Sequence, residues 1–173
     1  MEKKTDRRIR KTKTQLRAGL AKLMQTKSLK EITVKELVEE VDINRSTFYL
    51  HYTDIYQMLE SIETELQEEI KSIIENHPAG SYYEKSFPFI EEIFEVLAAN
   101  REICNALLGP NGDMAFVHRI EEIISRHSLH VLSATCKISL KDIKYAYAFC
   151  LTGCVGMVKT WLNAQDETTS AKE

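Results

Sequence analysis

"ITVKELVEEVDINRSTFYLHYTDIYQML", residues 32–59, holds two short helical patterns separated by a connection only long enough for a turn. Thr33 followed by Glu36 is a capping box, in which the hydroxyl accepts from the amide three residues on and the carboxylate reaches back to the cap amide. Val34, Leu37, Val38 and Val41 then share one face at helical spacing. "VDIN" closes that helix, and Asn44 is a good N-cap for a third, which places Arg45, Ser46 and Thr47 in its first turn. Thr53 or Asp54 starts a long fourth helix. Its apolar residues Ile55, Met58, Leu59, Ile62, Leu66, Ile70, Ile73 and Ile74 recur at threes and fours up to the break "NHPAGS".

The rest of the chain reads the same way. Upstream, "DRRIRKTKTQLRAGLAKLMQ" carries Ile9, Leu16, Leu20, Leu23 and Met24 on a helical stripe among basic residues, and the link "TKSLKEI" follows. Downstream, Phe87, Ile90, Ile93, Phe94 and Leu97 mark a fifth helix, and Ile103, Leu107 and Leu108 a short sixth ended by "GPNG". A seventh runs from about Asp113 to about Ala134, and a second capping box at Ser139 and Asp142 opens a final helix to about Ala164. With 6 Gly and 3 Pro in 173 residues, a turn-rich all-β fold is not expected and the expectation is all-α.

Composition bounds the function. Hydrophobic residues at 43% and charged residues at 28% describe an ordinary globular chain. The start, "MEKKTDRRIRKTK", has no apolar segment behind its basic residues, so it is not a signal peptide. No apolar window is long enough to span a bilayer, so no membrane partner is expected and a cytoplasmic location follows by default. Cys104, Cys136, Cys150 and Cys154 sit among apolar residues and read as buried free thiols. Cys150 and Cys154 are one turn apart, but no His, Asp or Glu lies near enough in sequence to complete a metal site. The Glu-Glu pairs are neighbours that diverge on a helix, and Gly-rich phosphate loops and His-x-x-x-His pairs are absent; an enzyme is not expected and no cofactor is implied.

Charge is unevenly placed. Residues 1–52 hold 13 Lys and Arg against 7 Asp and Glu, and residues 53–173 hold 10 against 19. A basic first third on an acidic remainder fits a polyanion partner for the first third alone. Three short helices, the second and third joined by a tight turn, form a helix-turn-helix unit that lays its last helix in the major groove. Phe48 then plugs the small core, while Arg45, Ser46 and Thr47 face base edges and Tyr49, His51 and Tyr52 offer polar tips to phosphates. Thr33 and the amides at its helix start would meet another phosphate, and Lys3, Lys4, Arg7 and Arg8 would form a basic arm.

At this point residues 7–62 resemble the DNA-binding domain of the TetR family of bacterial repressors. The carriers are the T-V-x-E-L box, the N-R-S-T-F-Y recognition helix, the aromatic H-Y pair and the run into a long connecting helix. The resemblance implies DNA contact by Thr33, Arg45, Ser46, Thr47, Tyr49 and His51, with Phe48 in the core. It further implies a helix-turn-helix domain over residues 1–53 and a helical ligand-binding and dimerisation domain over residues 54–173, coupled through the fourth helix. One position departs from the family's pattern: where many members carry Lys after the aromatic pair, this chain has Ile55, so a phosphate clamp is missing there or is supplied by Lys30 or Lys35.

Two further surfaces are expected in the second domain. Ala146, Cys150, Gly153, Cys154 and Met157 form a stripe of mostly small residues that lets another helix approach, and the resemblance makes that helix a second copy, giving a homodimer matched to a palindromic operator. Tyr82, Met114, His118, Tyr147 and Trp161 are candidates to line a pocket for a small-molecule effector. The expected function is a ligand-responsive transcriptional repressor binding double-stranded DNA. The alternative is a helical interaction or adaptor protein without sequence-specific DNA binding, distinguished by a shallow salt dependence on DNA.

Overall fold

The computed structural model describes residues 2–77, 88–135 and 140–164. Among these residues the chain is all-α, with no strand: α1 (Glu2–Met24), a 3-10 turn (Leu29–Glu31), α2 (Val34–Glu40), α3 (Arg45–Tyr49), α4 (Ile55–Asn76), α5 (Pro88–Ala99), α6 (Arg101–Leu108), α7 (Met114–Thr135) and α8 (Leu140–Asn163). The order and type of the helices match the expectation. Phe87, and Ser139 of the second expected capping box, lie outside the described residues. No helix among the described residues is long and apolar enough to cross a membrane.

The helices gather into two compact units. One comprises residues 1–65 with 102–114, the other residues 66–101 with 115–173. In the first unit α1 packs on α2 and α2 on α3. Leu16, Leu20, Met24, Leu37, Phe48, Met58, Ile62, Ile103 and Leu107 are fully buried there. Gly19 marks the close approach: a Cβ at this position would stand 2.3 Å from Val41 Cγ1 and 3.1 Å from Leu37 Cδ1. Ion pairs reinforce the same contacts from outside. Lys22 reaches Glu40 and Lys27 reaches Glu36, both on α2, while Arg17 (3.0 Å) and Lys13 (3.7 Å) converge on Glu65 of α4.

Capping sets where each short helix begins. Thr33 Oγ1 accepts from Glu36 N at 3.2 Å, the first half of the expected box. The second half is replaced, because the Glu36 carboxylate pairs with Lys27. A reciprocal cap that the reading of "TKSLKEI" as a plain link missed sits one turn earlier. The Glu31 carboxylate accepts from Ser28 N (2.9 Å) and Ser28 Oγ (2.6 Å), and the serine hydroxyl holds the Glu31 carboxyl below its ordinary value. Between α2 and α3, Asp42 takes a left-handed conformation (φ 52°) and Ile43 N donates to Val38 O at 3.0 Å. That is a Schellman closure, which turns the chain sharply without a glycine. Asp54 caps α4, accepting from Gln57 N at 2.8 Å.

The second unit is built on Ile70 and Ile74 of α4, packed with Ile73, Ile93, Ile120, Ile123 and Ile124. Arg101 closes the C-terminal end of α8. Its guanidinium donates to Leu162 O and Trp161 O, each at 3.0 Å, and to Ala164 O, at the end of the helix, where backbone donors run out. The same group lies 5.6 Å from the Trp161 ring centroid, and Phe94 meets that ring edge-on at 5.0 Å.

A candidate nucleic-acid interface on the third helix

α3 is five residues long and has one inward anchor. Phe48 is 0% exposed, with Tyr49 edge-on to it at 5.4 Å and Tyr52 tilted at 5.8 Å. Because a helix turns about 100° per residue, burying Phe48 forces its neighbours onto other faces. Arg45 and Ser46 are exposed, Thr47 is half-buried, and Tyr49 is 58% exposed. Asn44 stands at the N-cap position as expected, but its side chain does not make the cap bond; Thr47 N is satisfied by Asn44 O at 2.9 Å. Asn44, Arg45, Ser46 and Tyr49 together form a row of exposed hydrogen-bonding side chains on a backbone fixed by one aromatic residue.

The basic excess of the unit is partly spent on its own carboxylates: Lys13, Arg17, Lys22 and Lys27 all sit in ion pairs with α2 or α4. Arg45 makes no ion pair among the described residues, so its charge is directed to solvent. Lys35 is exposed and lies 3.9 Å from Glu39 one turn on, a separation at which screening leaves little attraction. Thr33 is exposed at the start of α2, and Lys30 is exposed beside it. His51 is half-buried against Tyr52, ring centroids 6.3 Å apart.

Tyr52 corrects the expectation. It is 5% exposed, with the Lys13 ammonium 5.7 Å from its ring centroid, and it belongs to the core instead of the outer row. Burial, and then the charge of Glu65, push its phenol above the ordinary value. The chain leaves the helix after Leu50, and this turns residue 52 back toward Phe48. Ile55, which stands where a Lys was expected, is 4% exposed, so its own side chain offers nothing to an anion. Conversely, Leu50 was passed over by the sequence reading and is 79% exposed.

In the second unit α8 presents the opposite surface. Gly153, Cys154 and Met157 of the expected stripe are exposed, and a Cβ at Gly153 or Gly156 would meet nothing within 4 Å. Cys154 is therefore an exposed free thiol, which corrects the expectation of burial, whereas Cys104 is buried as expected. Tyr145 (70% exposed) and Phe149 (83%) continue the same row at four-residue spacing and were not singled out from the sequence. The side chains of Ala146 and Cys150 lie outside the described residues, as does Cys136.

The pocket candidates differ in exposure. Tyr82 lies outside the described residues; Tyr147 is half-buried; Trp161 is held between Phe94 and Arg101. Met114 is 58% exposed, and exposed His118 lies 3.1 Å from Glu121.

Comparison with known proteins follows the same lines. A search of curated proteins gives no significant match. The crystal structure of a TetR transcriptional regulator from Streptococcus agalactiae 2603V is similar in fold, with a TM-score of 0.58 at 20% identity, over 99% of this chain and 93% of that one. Residues 84–172 match the TetR family description of a transcriptional regulator C-terminal region. With more than half of its sequence inside that match, the chain belongs to the TetR family of transcriptional regulators.

Proposed function

We propose that this regulator reads duplex DNA with the outward row of α3, acts as a homodimer joined along α8, and represses transcription in the cytoplasm from a palindromic operator under the control of a small-molecule effector. The observation that carries the reading is the side-chain arrangement of α3, where a fully buried Phe48 fixes Arg45, Ser46 and Tyr49 outward. Arg45 is suited to bidentate bonding of guanine, Ser46 to a permissive base contact, and Tyr49 and Lys35 to phosphate oxygens. Thr33, Thr47 and His51, less exposed or engaged in caps, would set the register of the helix on the backbone. The apolar row on α8 supports pairing with a second copy, since solvated faces seldom expose a phenyl group beside glycines. An effector acts only through a difference in its affinity for the DNA-competent and DNA-released states.

The test is selection of bound duplexes from a random pool, followed by titration of the enriched site with wild type and Arg45→Ala. Enrichment of a two-fold symmetric site is expected, with binding that weakens steeply as salt rises. Arg45→Ala is expected to weaken binding about 5- to 150-fold, the loss of one bidentate base contact. Binding without enrichment and with a shallow salt slope would instead favour an adaptor.

A further inference from the structure

We infer that Leu50 is an apolar reader of the DNA site, its isobutyl group covering the C5 methyl of a pyrimidine in the major groove. The inference rests on the proposal that α3 meets DNA. Five large hydrophobic side chains of the first unit are exposed, Ile9 (40%), Tyr49 (58%), Tyr56 (55%), Met114 (58%) and Leu50 (79%), and Leu50 is the most exposed and has no polar atom of its own. Its backbone is not loose. Leu50 N donates to Ser46 O at 3.2 Å and its φ and ψ of −72° and −18° continue the helix. The side chain therefore projects one turn beyond Ser46, on the line next to that of Arg45 and Tyr49, and not from a wandering loop.

An exposed leucine alone is ordinary and needs no explanation. This one differs by address. It is the apolar member of an exposed set on α3 whose other members are a guanidinium, a hydroxyl and a phenol, next to the fully buried Phe48. Of the features that base edges present in the major groove, the C5 methyl is the one a hydrocarbon complements. Thymine supplies it in unmodified DNA and 5-methylcytosine supplies the same group.

The experiment uses the full chain and the site enriched by wild type. Each thymine is replaced in turn by uracil, which removes the methyl and keeps every hydrogen-bonding group, and binding of wild type and Leu50→Ala is titrated on each duplex. At one thymine, or its symmetric pair, wild type is expected to lose about five-fold, the scale of one buried methyl group. Leu50→Ala should bind the unmodified site weakly by a similar factor and should be indifferent to uracil there. At that position a cytosine and a 5-methylcytosine duplex then separate the sources. Tighter wild-type binding to the methylated base supports recognition of the methyl itself, and equal weakness supports recognition of thymine as a whole. Loss of nothing on uracil at any thymine overturns the inference, as does an equal uracil penalty in Leu50→Ala. If wild type enriches no sequence at all, the DNA-reading proposal falls first and this inference with it. Circular dichroism of Leu50→Ala checks the fold, which an exposed side chain should leave unchanged.

Discussion

α3 and α8 use apolar side chains in opposite senses. On α3 the phenyl ring of Phe48 is turned wholly inward, and the outer face offers Arg45, Ser46 and Tyr49. On α8 the phenyl ring of Phe149 is 83% exposed, in a row with Tyr145, Gly153 and Met157. A surface that buries its hydrocarbon and displays fixed hydrogen-bonding groups is suited to a hydrated, charged partner. A surface that displays hydrocarbon beside glycines is suited to a partner that removes it from water. On the proposed reading these are two recognition chemistries in one protein, and the difference can be broken by mutation on either side.

The largest effect is expected at Phe48. Phe48→Ala should cost about 3–5 kcal/mol, as deletion of a fully buried ring does, and urea unfolding should show it. A loss below about 1 kcal/mol would mean that α3 is not held by its core, since even modest core truncations usually exceed that. Next comes Arg101, which secures the end of α8. Arg101→Ala should lower stability by about 2 kcal/mol, the range for charged donors on carbonyls, and Arg101→Lys should not restore it because a single ammonium cannot match the fork. Both are read as shifts in melting temperature. On the outward face of α8, Phe149→Ala should weaken self-association about 30-fold by sedimentation, as loss of a central aromatic contact does, with little change in the melting of the separated chain. Unchanged association would leave the exposed row without the partner assigned to it. The smallest effect is at the turn before α3, where Asp42→Gly should stabilise by up to about 1 kcal/mol by relieving a left-handed residue.

Much of this was legible in the residues and some was not, for identifiable reasons. Helical periodicity placed the longer helices α1, α4 and α5, Thr33 announced the start of α2, and Asn44 that of α3. The Ser28–Glu31 cap has the spacing of a capping box and could have been read, whereas the pairing of Glu36 with Lys27 depends on how the link folds back. Leu50 lies two residues, about 200°, from Phe48 on the helix, so the buried ring already implied an outward leucine. The opposite fates of Tyr49 and Tyr52 turn on where the helix stops. Periodicity does not fix that point, because element ends are set by one or two hydrogen bonds. On α8 apolar residues surround the helix, so the sequence could name a small-residue stripe but not which large residues, Tyr145 and Phe149, stand exposed beside it.

The most direct test of the two-surface account is a hydroxyl-radical footprint of wild type on its enriched duplex, with Phe149→Ala alongside. The account predicts two protected stretches related by two-fold symmetry on one side of the duplex, from two α3 helices brought together through α8. Phe149→Ala should need far more protein to protect the same two stretches. A single protected stretch, or the same footprint at the same concentration with Phe149→Ala, would contradict it.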